Sequence, residues 1–179
     1  MCAGSLRQCM DMIQQENGFV WPLVSETASA QLRWHRLGSA TWLDGVARFP
    51  RGPDEPGVYL VKLTARGRYR IYIGEAANLR KRLRSYGGRG AERPIERGKT
   101  TTNMRGRVRR VLRENDGSVE VYLLELPIDS AHTLCESYPA CKDCRIMLER
   151  VALSTAYLRH EPLINEHGFP KASPEDPLN

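Results

Sequence analysis

The chain has 179 residues, 41% of them hydrophobic and 27% charged, with a formal net charge of +6; this is room for one domain with a sizeable core, in the ordinary composition of a globular protein. No apolar run approaches the ~18 residues of a membrane span, and the opening MCAGSLRQCM lacks a basic start followed by an apolar stretch, so a cytoplasmic protein with no membrane partner is expected. Five cysteines without a signal are expected as buried thiols or metal ligands rather than disulfides.

In chain order, residues 5–17 read as a short amphipathic helix, because Leu6, Cys9, Met10 and Ile13 fall at helical spacing and Gly18 can stop it. The pattern from Phe19 to Gly45 is mixed, and SETASAQLRWHRL suits a second helix opened by Ser25 or Thr27. The stretch FPRGPDEPG (49–57) is a loop rich in proline and glycine. GVYLVKL (57–63) and RYRIYIG (68–74) then form a β-hairpin signal around a turn containing Gly67. Asn78 caps a predicted helix from Leu79 to about Tyr86, which GGRG ends. Asn103 can cap a basic helix, MRGRVRRVLREN (104–115). GSVEVYLLELP (117–127) is a third strand, and a long helix follows from about Arg145 to His160, stopped by Pro162. The order predicts an α+β fold: a small three-stranded mixed or antiparallel sheet flanked by helices. Residues 1–48 are expected as an N-terminal extension for DNA recognition or dimerisation, 49–168 as the main domain and 169–179 as a tail.

Charge is unevenly spread. Between Arg66 and Arg113 there are 16 Lys or Arg against three acids, Glu75, Glu92 and Glu96, while the remaining residues carry 11 basic and 18 acidic side chains. A single-sign block inside structured sequence suits a polyanion-binding face. Arginine outnumbers lysine 22 to 5, which suits fork-like phosphate recognition. The candidate DNA-binding side chains are Arg80, Lys81, Arg84, Arg105, Arg107, Arg109 and Arg110.

Tyr59 and Tyr72 stand on adjacent hairpin strands, close enough to act on one site, although two strand tyrosines also suit simple packing. On a helix starting at Leu79, with about 100° per residue, Leu83 and Tyr86 share the apolar stripe with Leu79. Arg82 borders that stripe, whereas Arg80, Lys81 and Arg84 point to solvent. An arginine directed at the sheet edge can bind a scissile phosphate and stabilise charge as a bond breaks. The helix IMLERVALSTAYLRH is apolar almost all round and is expected to be mostly buried. Glu149 lies on its Ala152, Leu153 and Ala156 side, where a carboxylate is costly unless it is ion-paired or binds a divalent metal.

GVY (57–59), YIG (72–74), Arg82 and Glu149, in that order, resemble the signature of the GIY-YIG nucleases. The stretch YIGEAANLRKRLRSY (72–86) also looks like the excision-repair branch of that family, including Asn78, Leu79 and Tyr86. One departure is Glu75, where those enzymes usually carry a basic residue, and it points to another branch or to a differently poised site. The resemblance implies a site of Tyr59, Tyr72, Arg82, Tyr86, Glu149 and, in PLIN (162–165), Asn165. It also implies metal-assisted hydrolysis of DNA, with Mg²⁺ or Mn²⁺ held by Glu149 and either Tyr59 or Tyr72 orienting or deprotonating the attacking water. Restriction, repair and mobile-element roles all fit, as does a non-catalytic DNA-binding module on the same fold. A chain this short that cuts both strands is expected to act as a homodimer.

HTLCESYPACKDC places His132, Cys135, Cys141 and Cys144 as HxxC followed by CxxC. The pattern is that of a loop with free thiols, and it is also compatible with a structural Zn²⁺ site.

Overall fold

The computed structural model describes residues 13–15, 18–22, 31–87, 100–125 and 139–164. Seven strands and three helices are present among them: β1 (Ile13–Gln15), β2 (Gly18–Pro22), β3 (Gln31–Leu43), β4 (Val46–Arg48), β5 (Gly57–Ala65), β6 (Arg68–Ala76), α1 (Leu79–Tyr86), α2 (Thr100–Arg113), β7 (Ser118–Glu125) and α3 (Lys142–Leu158). The class is α+β. The strands run in the order β1-β2-β3-β7-β5-β6, with β4 also pairing β3, and every named pairing is antiparallel.

The expected hairpin is β5–β6. Its turn residues Arg66 and Gly67 have φ of 54° and 68°, the doubly positive geometry whose twist matches that of the flanking strands. β5 lies between β6 and β7, so both of its edges are paired, and helices cover both of its faces: Val58, Tyr59, Leu60 and Val61 are all buried in sequence. Even-numbered Val58 and Leu60 face α3, packing with Leu148, Ala152 and Ala156. Odd-numbered Tyr59, Val61 and Leu63 face α1 and α2, packing with Leu79, Leu83, Met104 and Val108. The sheet is thus the middle of three layers.

Three expectations are corrected. The three-stranded sheet is larger, because the segment expected as a second helix enters strand β3 instead. Leu32 and Trp34 are each 1% exposed while Arg33 and His35 are exposed, a two-residue alternation that only a strand satisfies. β3 pairs with β7 from Arg33 to Ala40, so residues 31–48 share the sheet and core of the main domain, and no boundary after residue 48 separates two cores. The helix expected over 5–17 gives way at its end to β1, paired with β2; residues 5–12 lie outside the described residues, as do the expected tail, Asn165, His132 and Cys135. Finally, α3 is less buried than its composition suggests. Leu148, Ala152 and Ala156 are buried, but Met147, Tyr157 and Leu158 are exposed, so only one stripe faces the sheet. No helix among the described residues is long and apolar enough to cross a membrane.

A candidate active site at the end of the hairpin

The pairing register brings the two strand tyrosines together. Tyr59 pairs with Gly74 and Val61 with Tyr72, so Tyr59 and Tyr72 are diagonal neighbours on the α1 face. Gly74 lies directly beneath the Tyr59 phenol: a Cβ there would sit 2.7 Å from Tyr59 Oη and 3.0 Å from Tyr72 Cε1. The glycine of the YIG string is therefore a steric requirement of the ring above it.

α1 supplies the third phenol. Asn78 caps it, its Oδ1 accepting from the Lys81 N–H at 2.8 Å, and Leu79, Leu83 and Tyr86 are buried as the helical wheel predicts. Tyr59 and Tyr86 hydroxyls hydrogen-bond at 2.5 Å. The Tyr72 ring lies 6.1 Å from that of Tyr59 and 6.3 Å from that of Tyr86, within the range of favourable tilted and edge-on aromatic pairs.

Burial is the main cause that raises the pKa of all three phenols. For Tyr59 the effect takes it well above its ordinary value, reinforced by Tyr86 and Tyr72 and opposed by Arg82. Tyr86 behaves alike, raised first by burial and then by Tyr72. Tyr72 is raised as well, by burial first; hydrogen bonding with Tyr86 and Tyr59 lowers it, the Glu149 carboxylate raises it and the charge of Arg82 lowers it. It is also the phenol with surface exposed; Tyr59 and Tyr86 are 1% and 0% exposed. Of the two tyrosines the resemblance offered as a base, Tyr72 is thus the one that water can reach.

Arg82 is half-buried at this cluster. Burial opposes its charge, but Tyr59, Tyr86, Tyr72 and Glu75 together outweigh that and raise its pKa, so the guanidinium stays cationic. Glu149, on α3, reaches the same place from the other side of the sheet's β6 edge. Its pKa is raised by burial first and by Glu75 second, against the lowering effects of Arg82, the Glu75 backbone N–H and Arg150. The Glu75 backbone N–H lies close enough to the Glu149 carboxylate to favour its charged form. Further along that edge the Ile71 N–H donates to Pro162 O at 3.0 Å, and the Ile164 N–H donates to Ile71 O at 2.8 Å. The segment leading to Asn165 is therefore docked on β6, with Asn165 itself outside the described residues.

The sequence pattern underrated two residues. Glu75 shares the inward parity of Ile71 and Ile73 on β6, and its Oε2 accepts from Arg145 Nε at 3.0 Å. Arg145 is 4% exposed and also donates to the carbonyls of Pro139 and Ala140, at 2.8 and 2.6 Å. Its place four residues before Glu149, on the same stripe of α3, is the signal that could have found it.

The residues present suit a divalent cation with few protein donors. Glu149 is held partly buried beside a second carboxylate, and a cation between them would offset both causes of its raised pKa. Among the described residues no group of three or more His, Cys, Asp or Glu side chains gathers. Mg²⁺ keeps several waters when bound and is commonly held by one or two carboxylates. Cys141 and Cys144 stand at the start of α3, where Cys141 Sγ accepts from the Cys144 N–H at 3.5 Å and caps the helix.

The basic side chains divide. Lys81, Arg84 and Arg110 are exposed and Arg107 is half-exposed. Arg80 pairs with Asp54 and donates to Gly52 O. Arg105 donates twice to Ser85 O, tying α2 to α1, and Arg109 is 5% exposed. Lys81, Arg84 and Arg110 are thus the best placed of the seven for a DNA surface, while Arg105 and Arg109 serve the packing of α2.

No protein-family model matches the chain, and neither a curated protein nor a solved structure matches it.

Proposed function

We propose that this protein is a metal-dependent DNA endonuclease of the GIY-YIG type, a phosphodiester hydrolase with a restriction-type role. The observation that carries the reading is the convergence of three phenols, a cationic Arg82 and a half-buried Glu149 on one end of the β5–β6 hairpin. The basic block supports DNA as the substrate, since exposed Lys81, Arg84 and Arg110 lie on the helices that flank the tyrosines.

In this reading Arg82 binds a non-bridging oxygen of the scissile phosphate and offsets the charge that builds as the P–O bond breaks. The Tyr72 oxygen accepts from the attacking water and orients it, with Tyr86 donating to the Tyr72 oxygen and Tyr59 donating to Tyr86, and the proton that the water loses as the new P–O bond forms leaves to solvent. Glu149, with Glu75 beside it, would hold Mg²⁺ or Mn²⁺, which when bound stabilises the leaving oxygen. Arg145 fixes Glu75 so that its backbone N–H stays close to the Glu149 carboxylate. Concerted cutting of both strands would require a homodimer on the DNA.

A second reading, a non-catalytic DNA-binding module, is favoured by the near-complete burial of Tyr59 and Tyr86, which also suits a packed aromatic core. Incubation of mixed-sequence DNA with Mg²⁺ or Mn²⁺ separates the two. Discrete fragments support the restriction enzyme, smears or structure-dependent nicks point to a repair or mobile-element nuclease, and binding without cleavage leaves the module.

A further inference from the structure

Beside the tyrosines, between β4 and α1, lies a cavity of about 360 Å³ whose lining includes Val46, Phe49, Arg48, Arg51, Arg80 and Arg84. Its volume falls at the small end of ligand sites, which run from about 300 to 1,000 Å³. Its lining joins the half-buried apolar side chains of Val46 and Phe49 to four arginines. Arg48 is engaged by Asp44 and Arg80 by Asp54. Arg51 and Arg84 are exposed and make no hydrogen bond or ion pair within the described residues.

We propose that this cavity receives one unpaired nucleobase of the DNA, stacked on Phe49, with the adjoining phosphates held by Arg51 and Arg84. The inference rests on the DNA-cleaving reading above and names what that site would prefer. A purely phosphate-binding surface has no use for an aromatic and aliphatic floor, whereas a base presents a flat apolar face with anionic groups beside it. A base stacked within a duplex cannot enter a concave site, so the occupant is unpaired or extruded. The cavity is also mechanically joined to the tyrosines. The Phe49 ring lies 6.1 Å from that of Tyr86, and Tyr86 hydrogen-bonds Tyr59. α1 carries Arg82 toward the tyrosines and Arg80 and Arg84 toward the cavity, so one strand passing this helix can meet both sites.

The test is binding of the full chain, in EDTA and at low salt, to three labelled duplexes: one with a single unpaired nucleotide, one with an abasic site in its place and one fully paired. The unpaired-nucleotide duplex should bind about tenfold tighter than the abasic one, the scale of one base–aromatic stack. Phe49→Leu should erase that preference, whereas Arg51→Ala combined with Arg84→Ala should weaken binding of the unpaired-nucleotide and abasic duplexes alike. Equal binding of the three duplexes by the parent, a preference that survives Phe49→Leu, or unchanged affinity in the double arginine variant overturns the cavity assignment and leaves the nuclease reading standing. Failure to bind any of the three overturns both.

Discussion

The hydroxyls of Tyr59, on a central strand, and Tyr86, at the end of a helix, hydrogen-bond at 2.5 Å inside the core. This contact closes α1 onto the hairpin and so sets where Arg82 points. Tyr59→Phe and Tyr86→Phe should each destabilise the fold by about 1–3 kcal/mol, because each leaves one buried hydroxyl without its partner. The double variant should cost little more than either single one. Denaturant melts of all four proteins measure this coupling; additive losses would mean that the two phenols do not depend on each other.

Gly74→Ala should disrupt the site, because Gly74 is buried beneath the Tyr59 ring. The added Cβ would lie 2.7 Å from Tyr59 Oη and 2.9 Å from Tyr59 Cζ, which forces the ring to move at a cost of about 1–3 kcal/mol. Placing Tyr59→Phe in the same chain removes the nearer clash and should recover part of the loss. Thermal melts that show no rescue would place the strain elsewhere.

The acid side of the pH–activity profile should be set by Glu149. Its raised pKa means that the carboxylate forms only above the ordinary value of about 4.3, so activity should climb through a pH range higher than that. Glu75→Gln keeps an acceptor for Arg145 Nε and removes the second of the two causes that raise Glu149, so the limb should move to lower pH. An unchanged limb would mean that Glu75 does not act on Glu149.

The same shift makes a stability prediction. The folded chain holds the Glu149 proton more tightly than the unfolded chain, so this group's contribution falls as pH rises from about 4.3 through its higher folded value. Glu149→Gln removes that loss and should leave Tm at pH 7 at or above that of the parent. A clear drop in Tm would instead assign Glu149 to a stabilising ion pair.

Five tyrosines have raised pKa values, Tyr69 and Tyr122 to about 12 and the site phenols by burial. Each contributes stability that is fully present below the unfolded value of about 10 and is lost as pH climbs toward the folded value. An absorbance titration of the native protein should therefore show most tyrosines ionising above pH 10, together with unfolding. A single transition of all seven at about 10 would contradict the burial described.

Much of the hairpin, the first helix and its cap was legible because local signals agreed there: two β-rich runs, a glycine turn, Asn78 and an apolar stripe. β3 was obscured because Ser25 and Thr27 offer helix caps in the preceding sequence, while the strand is decided by pairing with β7, a partner some 80 residues away. Asp44 and Gly45, with φ of 52° and 73°, are a hairpin signal of the strongest short-range kind, and they do turn the chain from β3 into β4. At the candidate site, spacing put Tyr59, Tyr72 and Arg82 near one another but left open which phenol meets water. That depended on burial, which no spacing encodes, and so did the withdrawal of Arg109 into the core.

The most direct test of the site is single-turnover cleavage of bound DNA in Mg²⁺, comparing the parent with Glu149→Gln, Arg82→Ala and Tyr72→Phe. The parent should cut, and Glu149→Gln should bind as the parent does while cutting at least about 100-fold more slowly. A parent that binds DNA in Mg²⁺ and Mn²⁺ without cutting it, or a Glu149→Gln variant that cuts at the parent's rate, would contradict the account.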